Sequence, residues 1–419
     1  MSALLHVLSA IDHSLLYRIA LFYFGFYPIF MAILWVVLSL TYFHRREKEP
    51  DAAPDDYTPF VSIVVPAFAE KETISRTIDA LLALDYPDYE VIVVTDGSRD
   101  GTPEIVQRYF HRSRVRLLQK DANEGKAMAL NDAMPLCRGE LIVILDADVI
   151  AEPTLLRELC KHFIHPRVGA VTGNPRVENR STLLRQLQAI EFSSIVSVQR
   201  RAQRIWGRVL TVSGAVMALR RTAILDVGLF APDMATEDIE ITWRLQRKFW
   251  DVRYEPSAVV WMQVPPNLRQ LWKQRRRWAR GLAQVLRKHW DVPLHWTQRR
   301  LWPIYFEALC SIAWAFTFSF VTTYWIVSTC AGYTPYGASP FPNLWGMVVA
   351  TACLIQIFTG VLMDRRYDPK MLRSFPVAIF YPLIYWTLMS TITTLYTIGA
   401  LIRRGPRLQT WQIKREEGV

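Results

Sequence analysis

The chain has 419 residues, 51% of them hydrophobic, and a formal net charge of +11. That length suggests about two or three domains. No nucleic-acid recognition motif accompanies the charge, and the five scattered cysteines include no CxxC pair, which argues against a nucleic-acid partner, a disulfide framework and a zinc site.

The hydrophobic residues are unevenly spread. From Ile19 to Phe43 no residue is charged. As a helix this stretch spans roughly 37 Å, enough to cross a hydrocarbon core of about 30 Å. It is too long for a signal-peptide core, and no small-residue cleavage site follows. "HRREKE" (44–49) follows instead, a stop-transfer flank that assigns residue 44 onward to the cytoplasm. Residues 1–46 are therefore expected to form an N-terminal transmembrane segment. Residues 47–59, rich in proline and acids, are expected to be a linker.

Residues 60–266 change character. Apolar runs at 60–68, 89–96, 114–120 and 140–148 alternate with amphipathic stretches at 71–84, 102–110, 125–135 and 152–164. Short buried strands alternating with helices mean βαβ units and a parallel sheet. In such sheets ligands bind beyond the carboxyl ends of the strands. Acids stand at those ends: Glu70 after the first strand, Asp96 at the second, Asp146 and Asp148 at the fourth. Taken singly, each is explained by capping of the next helix. Taken together, they face one ligand. The Asp146–Ala147–Asp148 triplet would point two acids the same way if the chain stays extended. Hard oxygen donors suit Mg²⁺ or Mn²⁺, and substrate phosphate usually completes the shell of Mg²⁺. His162 and His165 have no third ligand in the sequence nearby and read as a surface pair.

An arginine- and tryptophan-rich segment at 267–300 leads to the C-terminal third. Trp302–Cys330 is apolar apart from Glu307, and Leu344–Met363 and Phe375–Ile402 are apolar throughout. These read as three spans within residues 301–402. Residues 331–343 carry no charge and suit the outside, whereas "DRRYDPKMLR" (364–373) suits the cytoplasm. One N-terminal and three C-terminal crossings would leave residues 403–419 outside, yet this tail is basic. Either one apolar segment is re-entrant or interfacial, or the stretch before Tyr17 adds a crossing.

"VPAFAE" (65–70), "TDGS" (95–98), "NEGKAMALN" (123–131), "DAD" (146–148), "ATED" (235–238) and "QRRRW" (274–278) occur in that order. Together they resemble the processive inverting glycosyltransferases of family two, the superfamily of cellulose, chitin and hyaluronan synthases. A closer resemblance lies in residues 168–196, 201–215 and 271–281, which are similar to bacterial poly-β-1,6-N-acetylglucosamine synthases of biofilm matrix. The implied fold is an α/β GT-A domain, Rossmann-like with a mostly parallel sheet, in the cytosol and joined to an α-helical transmembrane domain. The implied location is the bacterial inner membrane, multi-pass.

The resemblance also implies roles. Pro66, Ala67, Glu70 and Asp96 would hold the uridine, Lys126 the nucleotide and its phosphates, and Asp146 the ribose or metal shell. Asp148 would bind Mg²⁺ or Mn²⁺. Asp238 would be the general base, for which a plain N-terminal helix cap is the alternative, and Glu237 would serve the acceptor and diphosphate. Gln274 and Trp278 are four apart and share a helix face beside Arg277. Arg277 would brace the diphosphate and Trp278 would stack on the acceptor sugar, with Gly214 along the acceptor groove. An interfacial helix meeting lipid headgroups is the alternative, and it is the expectation for Arg275 and Arg276. Aromatic residues of the spans, among them Tyr305, Trp314, Tyr324, Trp325, Tyr385 and Trp386, would line a sugar path or simply mark the membrane interface. The implied substrates are UDP-N-acetylglucosamine and a growing polysaccharide chain. A small membrane subunit, cyclic di-GMP and the lipid bilayer are the implied partners. Another β-glycan synthase, or a transferase that adds a single sugar to a lipid, is the alternative function.

Overall fold

The structure is a computed structural model that describes residues 2–48, 57–337, 344–402 and 409–410. Among the described residues, eight strands form one sheet: β1 (Val61–Ala67), β2 (Tyr89–Asp96), β3 (Val115–Lys120), β4 (Leu141–Leu145), β5 (Ile150–Ala151), β6 (Val168–Val177), β7 (Val216–Arg220) and β8 (Asp251–Met262). Their order is β3-β2-β1-β4-β7-β6-β8-β5. β1 to β4 pair in parallel, as do β6 and β8; β7 runs antiparallel to both its neighbours and β5 antiparallel to β8.

β1, β2 and β4 are runs of mostly β-branched residues, buried along their whole length. Such strands need cover on both faces, and helices supply it. Alternate side chains feed two cores. Val61, Ile63 and Val65 pack with Ile74, Ile78 and Leu155 on one face. Val64, Ile92 and Ile142 pack with Leu130, Ile241 and Leu245 on the other.

The four expected strands are present, with one difference that matters. β4 stops at Leu145, so Asp146–Ala147–Asp148 is a turn rather than extended chain, closed by the Val149 amide returning to the Asp146 carbonyl at 3.3 Å. β6, β7 and β8 were not expected. Their alternation is hard to read, because β6 contains Gly169, Gly173 and Pro175 and its register with β8 shifts twice. Glycine inside a strand commonly marks such an irregularity. His162 is also not a surface residue: its Nε2 lies 2.7 Å from Glu255 Oε2, and the side chain is largely buried.

Among the described residues, four helical stretches are long and apolar enough to cross a membrane: Leu15–Glu47, Trp296–Cys330, Gly346–Asp364 and Met371–Ile402. The helix before them, Ser2–His13, has 12 residues. At 1.5 Å per residue that is about 18 Å, too short to cross. The last stretch is not one continuous α-helix; prolines 376 and 382 sit in tight and wide turns ahead of the final helix Trp386–Ile402. Both ends of this stretch touch the domain that carries the sheet. Arg180 donates to Met371 Sδ at its start, Tyr385 donates to Glu191 in its middle, Arg287 of the helix Leu268–Lys288 donates to the Ala400 carbonyl near its end, and beyond it the Gln409 amide donates to the Pro232 carbonyl. The same stretch also packs on the second membrane-type helix, where Thr394 Oγ1 lies 2.9 Å from Ser319 Oγ. Residues 403–408 and 411–419 of the basic tail lie outside the described residues, as do residues 49–56 of the expected linker.

Glu47 is buried rather than linker-like. It accepts two hydrogen bonds from Arg201, at 2.5 and 2.9 Å. Arg201 also pairs with Asp364 at 2.8 Å, and Asp364 with Arg176 of β6 at 2.5 Å. The first and third membrane-type helices are thus tied to the sheet through one buried ion network. Several aromatic residues of the spans join helices: Trp314 donates to the Phe24 carbonyl, Trp325 to the Tyr17 hydroxyl, and Tyr324 to the Leu8 carbonyl.

Candidate active site

The carboxyl rim of the sheet begins with the loop after β1. Pro66 and Ala67 are buried in the strand. Ala69 has a φ of 55°, a left-handed conformation held from the next β-strand's loop. Ser98 Oγ accepts the Ala69 amide at 3.1 Å, Thr102 Oγ1 the Glu70 amide at 3.0 Å, and Asp100 Oδ2 the Lys71 amide at 3.1 Å. Glu70 is half-buried and accepts the Thr73 hydroxyl at 2.7 Å.

Asp96 ends β2 and is fully buried. Its Oδ1 accepts the Glu124 amide at 3.1 Å and its Oδ2 the Gly125 amide at 2.7 Å. Lys120 Nζ lies 3.4 Å away. Asp96 therefore binds the loop that leads into Lys126 rather than capping the helix after its own strand. Gly97 is required here: its φ is 69°, and a Cβ would lie 2.6 Å from the backbone of Ala122 and Asn123.

Lys126 opens the helix Lys126–Ala133 and gathers the rim. Its Nζ is 2.6 Å from Asp146 Oδ1, 3.0 Å from the Gly214 carbonyl and 3.5 Å from Glu237 Oε1. Burial alone would lower its pKa, but Asp146 and Glu237 outweigh burial and raise it. The lysine stays charged.

Asp238 lies in the first turn of the helix Glu237–Arg247. Its Oδ2 accepts the Gly214 amide at 3.1 Å and its Oδ1 the Ile239 amide at 2.9 Å. The helix-cap position itself is Thr236, which makes no capping bond. Burial first, then the neighbouring Glu237 charge, push the Asp238 carboxyl up to about 6, against the pull of Lys126 and Arg277. A carboxylate tuned upward in a cleft is suited to accept a proton. A Cβ on Gly214 would lie 3.2 Å from Lys126 Nζ and 3.3 Å from Asp238 Oδ2, so glycine lets backbone approach both groups.

Asp148 is half-buried, two residues beyond Asp146 in the turn. Among the described residues no three His, Cys, Asp or Glu side chains lie close enough to hold a metal by themselves. Two turn carboxylates are hard oxygen donors. They fit Mg²⁺ or Mn²⁺ if the ion brings diphosphate oxygens and water to complete its shell.

The helix Leu268–Lys288 supplies the remaining expected residues. Gln274 and Trp278 are half-buried and Arg277 is exposed, near enough to lower the pKa of Asp238. Arg275 corrects an expectation. It is fully buried, away from any lipid phosphate, and its Nη2 donates to Glu191 Oε2 at 2.5 Å and to the Tyr385 hydroxyl at 2.8 Å. Its guanidinium also covers the Trp278 ring, 3.9 Å from the centroid. Sequence reasoning missed this pair. Glu191, a lone acid among the apolar residues of "LQAIEFSSIV", was the available signal, since a buried acid needs a partner.

This is the fold of a GT-A glycosyltransferase. The chain belongs to glycosyltransferase family 2: residues 58–281 match the family described as "Glycosyltransferase like family 2". It is similar along nearly its whole length to poly-β-1,6-N-acetyl-D-glucosamine synthases. That of Staphylococcus epidermidis is 32% identical over 395 residues, 92% of this chain and 96% of the relative. That of Staphylococcus aureus is 33% identical over 398 residues, with the same shares. Among solved structures, a mannosyltransferase from Pyrobaculum calidifontis, in complex with GDP-Man and Mn²⁺, superposes with a TM-score of 0.66. It covers 94% of this chain and 99% of its own, at 23% identity.

Proposed function

We propose that the protein is a processive inverting glycosyltransferase that polymerises N-acetylglucosamine from UDP-N-acetylglucosamine into a β-1,6-linked polysaccharide. The observation that carries this reading is the meeting of Asp146, Glu237 and Asp238 around Lys126 at the carboxyl rim of the sheet. The two curated relatives, both named poly-β-1,6-N-acetyl-D-glucosamine synthase, support the choice of sugar and linkage.

The donor binds between the loop after β1 and the loop 123–126. Pro66, Ala67 and Glu70 shape the first loop. Asp96 orders the second through its two amides, so its part in uridine binding is to fix that wall. Lys126 turns from Asp146 toward the diphosphate when the donor enters. Asp148, with Asp146, would hold a Mg²⁺ or Mn²⁺ ion that arrives with the diphosphate; when bound, such an ion neutralises charge on the leaving group. The Mn²⁺ in the mannosyltransferase structure supports metal use.

The acceptor hydroxyl donates its proton to Asp238 as its oxygen bonds to the anomeric carbon. The bond from that carbon to the diphosphate breaks, and the electron pair leaves with UDP. Arg277 and Lys126 stabilise the departing charge. One displacement converts an α-linked donor into a β-linked product. Trp278, with one face held by Arg275, offers the other to the acceptor ring, with Gln274 beside it. Alignment of the two sugars accounts for much of the rate.

Residues 60–266 form the catalytic unit in the cytoplasm, 267–300 the interfacial region and 301–402 the membrane part. The helices Leu15–Tyr42, Trp302–Cys330 and Leu344–Asp364 cross the bacterial inner membrane. The stretch 371–402 lies at the interface, which keeps the basic tail in the cytoplasm. A small membrane subunit and cyclic di-GMP remain part of this reading through the family resemblance alone.

The test is incubation of the membrane-embedded protein with UDP-N-acetylglucosamine and Mg²⁺, followed by linkage analysis. A β-1,6-linked polymer is expected. A single sugar on a lipid, or a polymer from another UDP-sugar only, would overturn the reading.

A further inference from the structure

The helix Val198–Ile205 packs against the first membrane-type helix on one side and β8 on the other. Its polar side chains nearly all have partners. Gln199 and Gln203 donate to Glu307 at 2.7 and 3.0 Å. Arg201 pairs with Glu47 and Asp364. Arg204 pairs with Asp251 at 3.0 Å. Arg200 is different. It is 6% exposed and makes no ion pair among the described residues. Its one hydrogen bond runs from Nη1 to the Gly173 carbonyl at 3.3 Å, and its buried Nε has no acceptor. Its guanidinium lies 5.8 Å from the centroid of the Tyr254 ring.

A guanidinium carries five N–H donors. Burying one with a single weak acceptor is costly, and buried charges are normally paired. Burial does hold its pKa below the usual guanidinium range, against the pull of Tyr254 and Asp238. The position explains why such a group is kept. Gly173 follows Thr172, whose Oγ1 accepts the Ser213 amide at 2.8 Å. Ser213 precedes Gly214, whose amide orients Asp238. Arg200 therefore reaches the same corner of β6 and β7 that holds the base, from the helix that binds Glu307 of the second membrane-type helix.

We propose that Arg200 binds the acceptor: the unused N–H donors of its Nη atoms hydrogen-bond to hydroxyl and acetamido oxygens of the glycan whose terminal hydroxyl is activated at Asp238. This rests on the reading of the site as a polymerising glycosyltransferase. The ligand chemistry matches. A neutral glycan offers many oxygen acceptors and no charge, so a protein carboxylate at Arg200 would compete for the donors. A planar fork also gives direction that a lysine lacks.

The test uses full-length protein in lipid nanodiscs, as wild type, Arg200→Gln and Arg200→Lys. Three quantities are measured: the Kd for UDP-N-acetylglucosamine, the KM for a β-1,6-linked N-acetylglucosamine oligosaccharide, and product length. In both variants the donor Kd is expected to stay within about twofold. In Arg200→Gln the oligosaccharide KM is expected to rise about tenfold or more and the polymer to shorten several-fold, with Arg200→Lys intermediate. Unchanged oligosaccharide KM and polymer length would overturn the proposal. So would loss of donor binding in both variants, which would assign Arg200 to folding. A wild-type protein that binds donor but never elongates the oligosaccharide would refute the polymerase reading itself and this proposal with it.

Discussion

The base role proposed for Asp238 has a pH signature. With its carboxyl raised to about 6, it is protonated and inactive at low pH and ionised above. kcat/KM should therefore rise with pH up to about 6 and level off, falling about tenfold per unit on the acid side. A pH–rate profile with no limb between about 5 and 7 would contradict the assignment. Gly214 is the second residue to probe. In Gly214→Ala the new methyl group would crowd Lys126 Nζ and Asp238 Oδ2. Turnover should drop by about tenfold or more, since small misplacements of reacting groups are costly. Unchanged turnover in a steady-state assay would show that the contact yields freely. At this scale the sequence was most legible where chemistry demands a residue type. Glu70, Asp146, Asp148, Asp238, Lys126 and Gly214 are all on one rim. It was least legible for Asp96, whose burial depends on a loop 28 residues away, and for Arg275, whose partner Glu191 is 84 residues away.

Among elements, the parallel strands were readable because burial on both faces leaves an unbroken apolar run. β6 and β8 were not, because glycine, proline and a shifting register erase the alternation. The DxD turn shows the limit of local reasoning: tertiary packing ended β4 three residues early and turned Asp146 toward Lys126. The helix Leu268–Lys288 is tied to Glu191 by the buried Arg275. Glu191→Leu would leave Arg275 buried without its counter-charge, a change that costs about 3–5 kcal/mol. A clear loss of thermal stability in detergent is expected. The double variant Glu191→Leu/Arg275→Met should recover most of it, because a well-packed apolar pair removes the unpaired charge. Equal stability of wild type and Glu191→Leu would contradict the burial of the pair.

For the whole molecule, hydropathy found all four apolar stretches, but length and composition cannot tell a crossing from a segment that returns. The proposed interfacial placement of the last stretch draws on the contacts of Tyr385 with Glu191 and of Gln409 with Pro232. A reporter active only outside the inner membrane should be active when fused after Gly332 and inactive when fused after Ile402. Activity at Ile402 would mean a full fourth crossing and would contradict the interfacial placement. The buried network of Glu47, Arg201, Asp364 and Arg176 ties the sheet to two of the membrane-type helices.

The account as a whole rests on Asp238 taking the acceptor proton within an intact donor site. The most direct measurement is Asp238→Asn in nanodiscs, with UDP-N-acetylglucosamine affinity and polymer formation followed on the same sample. The expected result is donor affinity within about threefold of wild type and polymer formation reduced by about a thousandfold or more. Polymer made at the wild-type rate would contradict it.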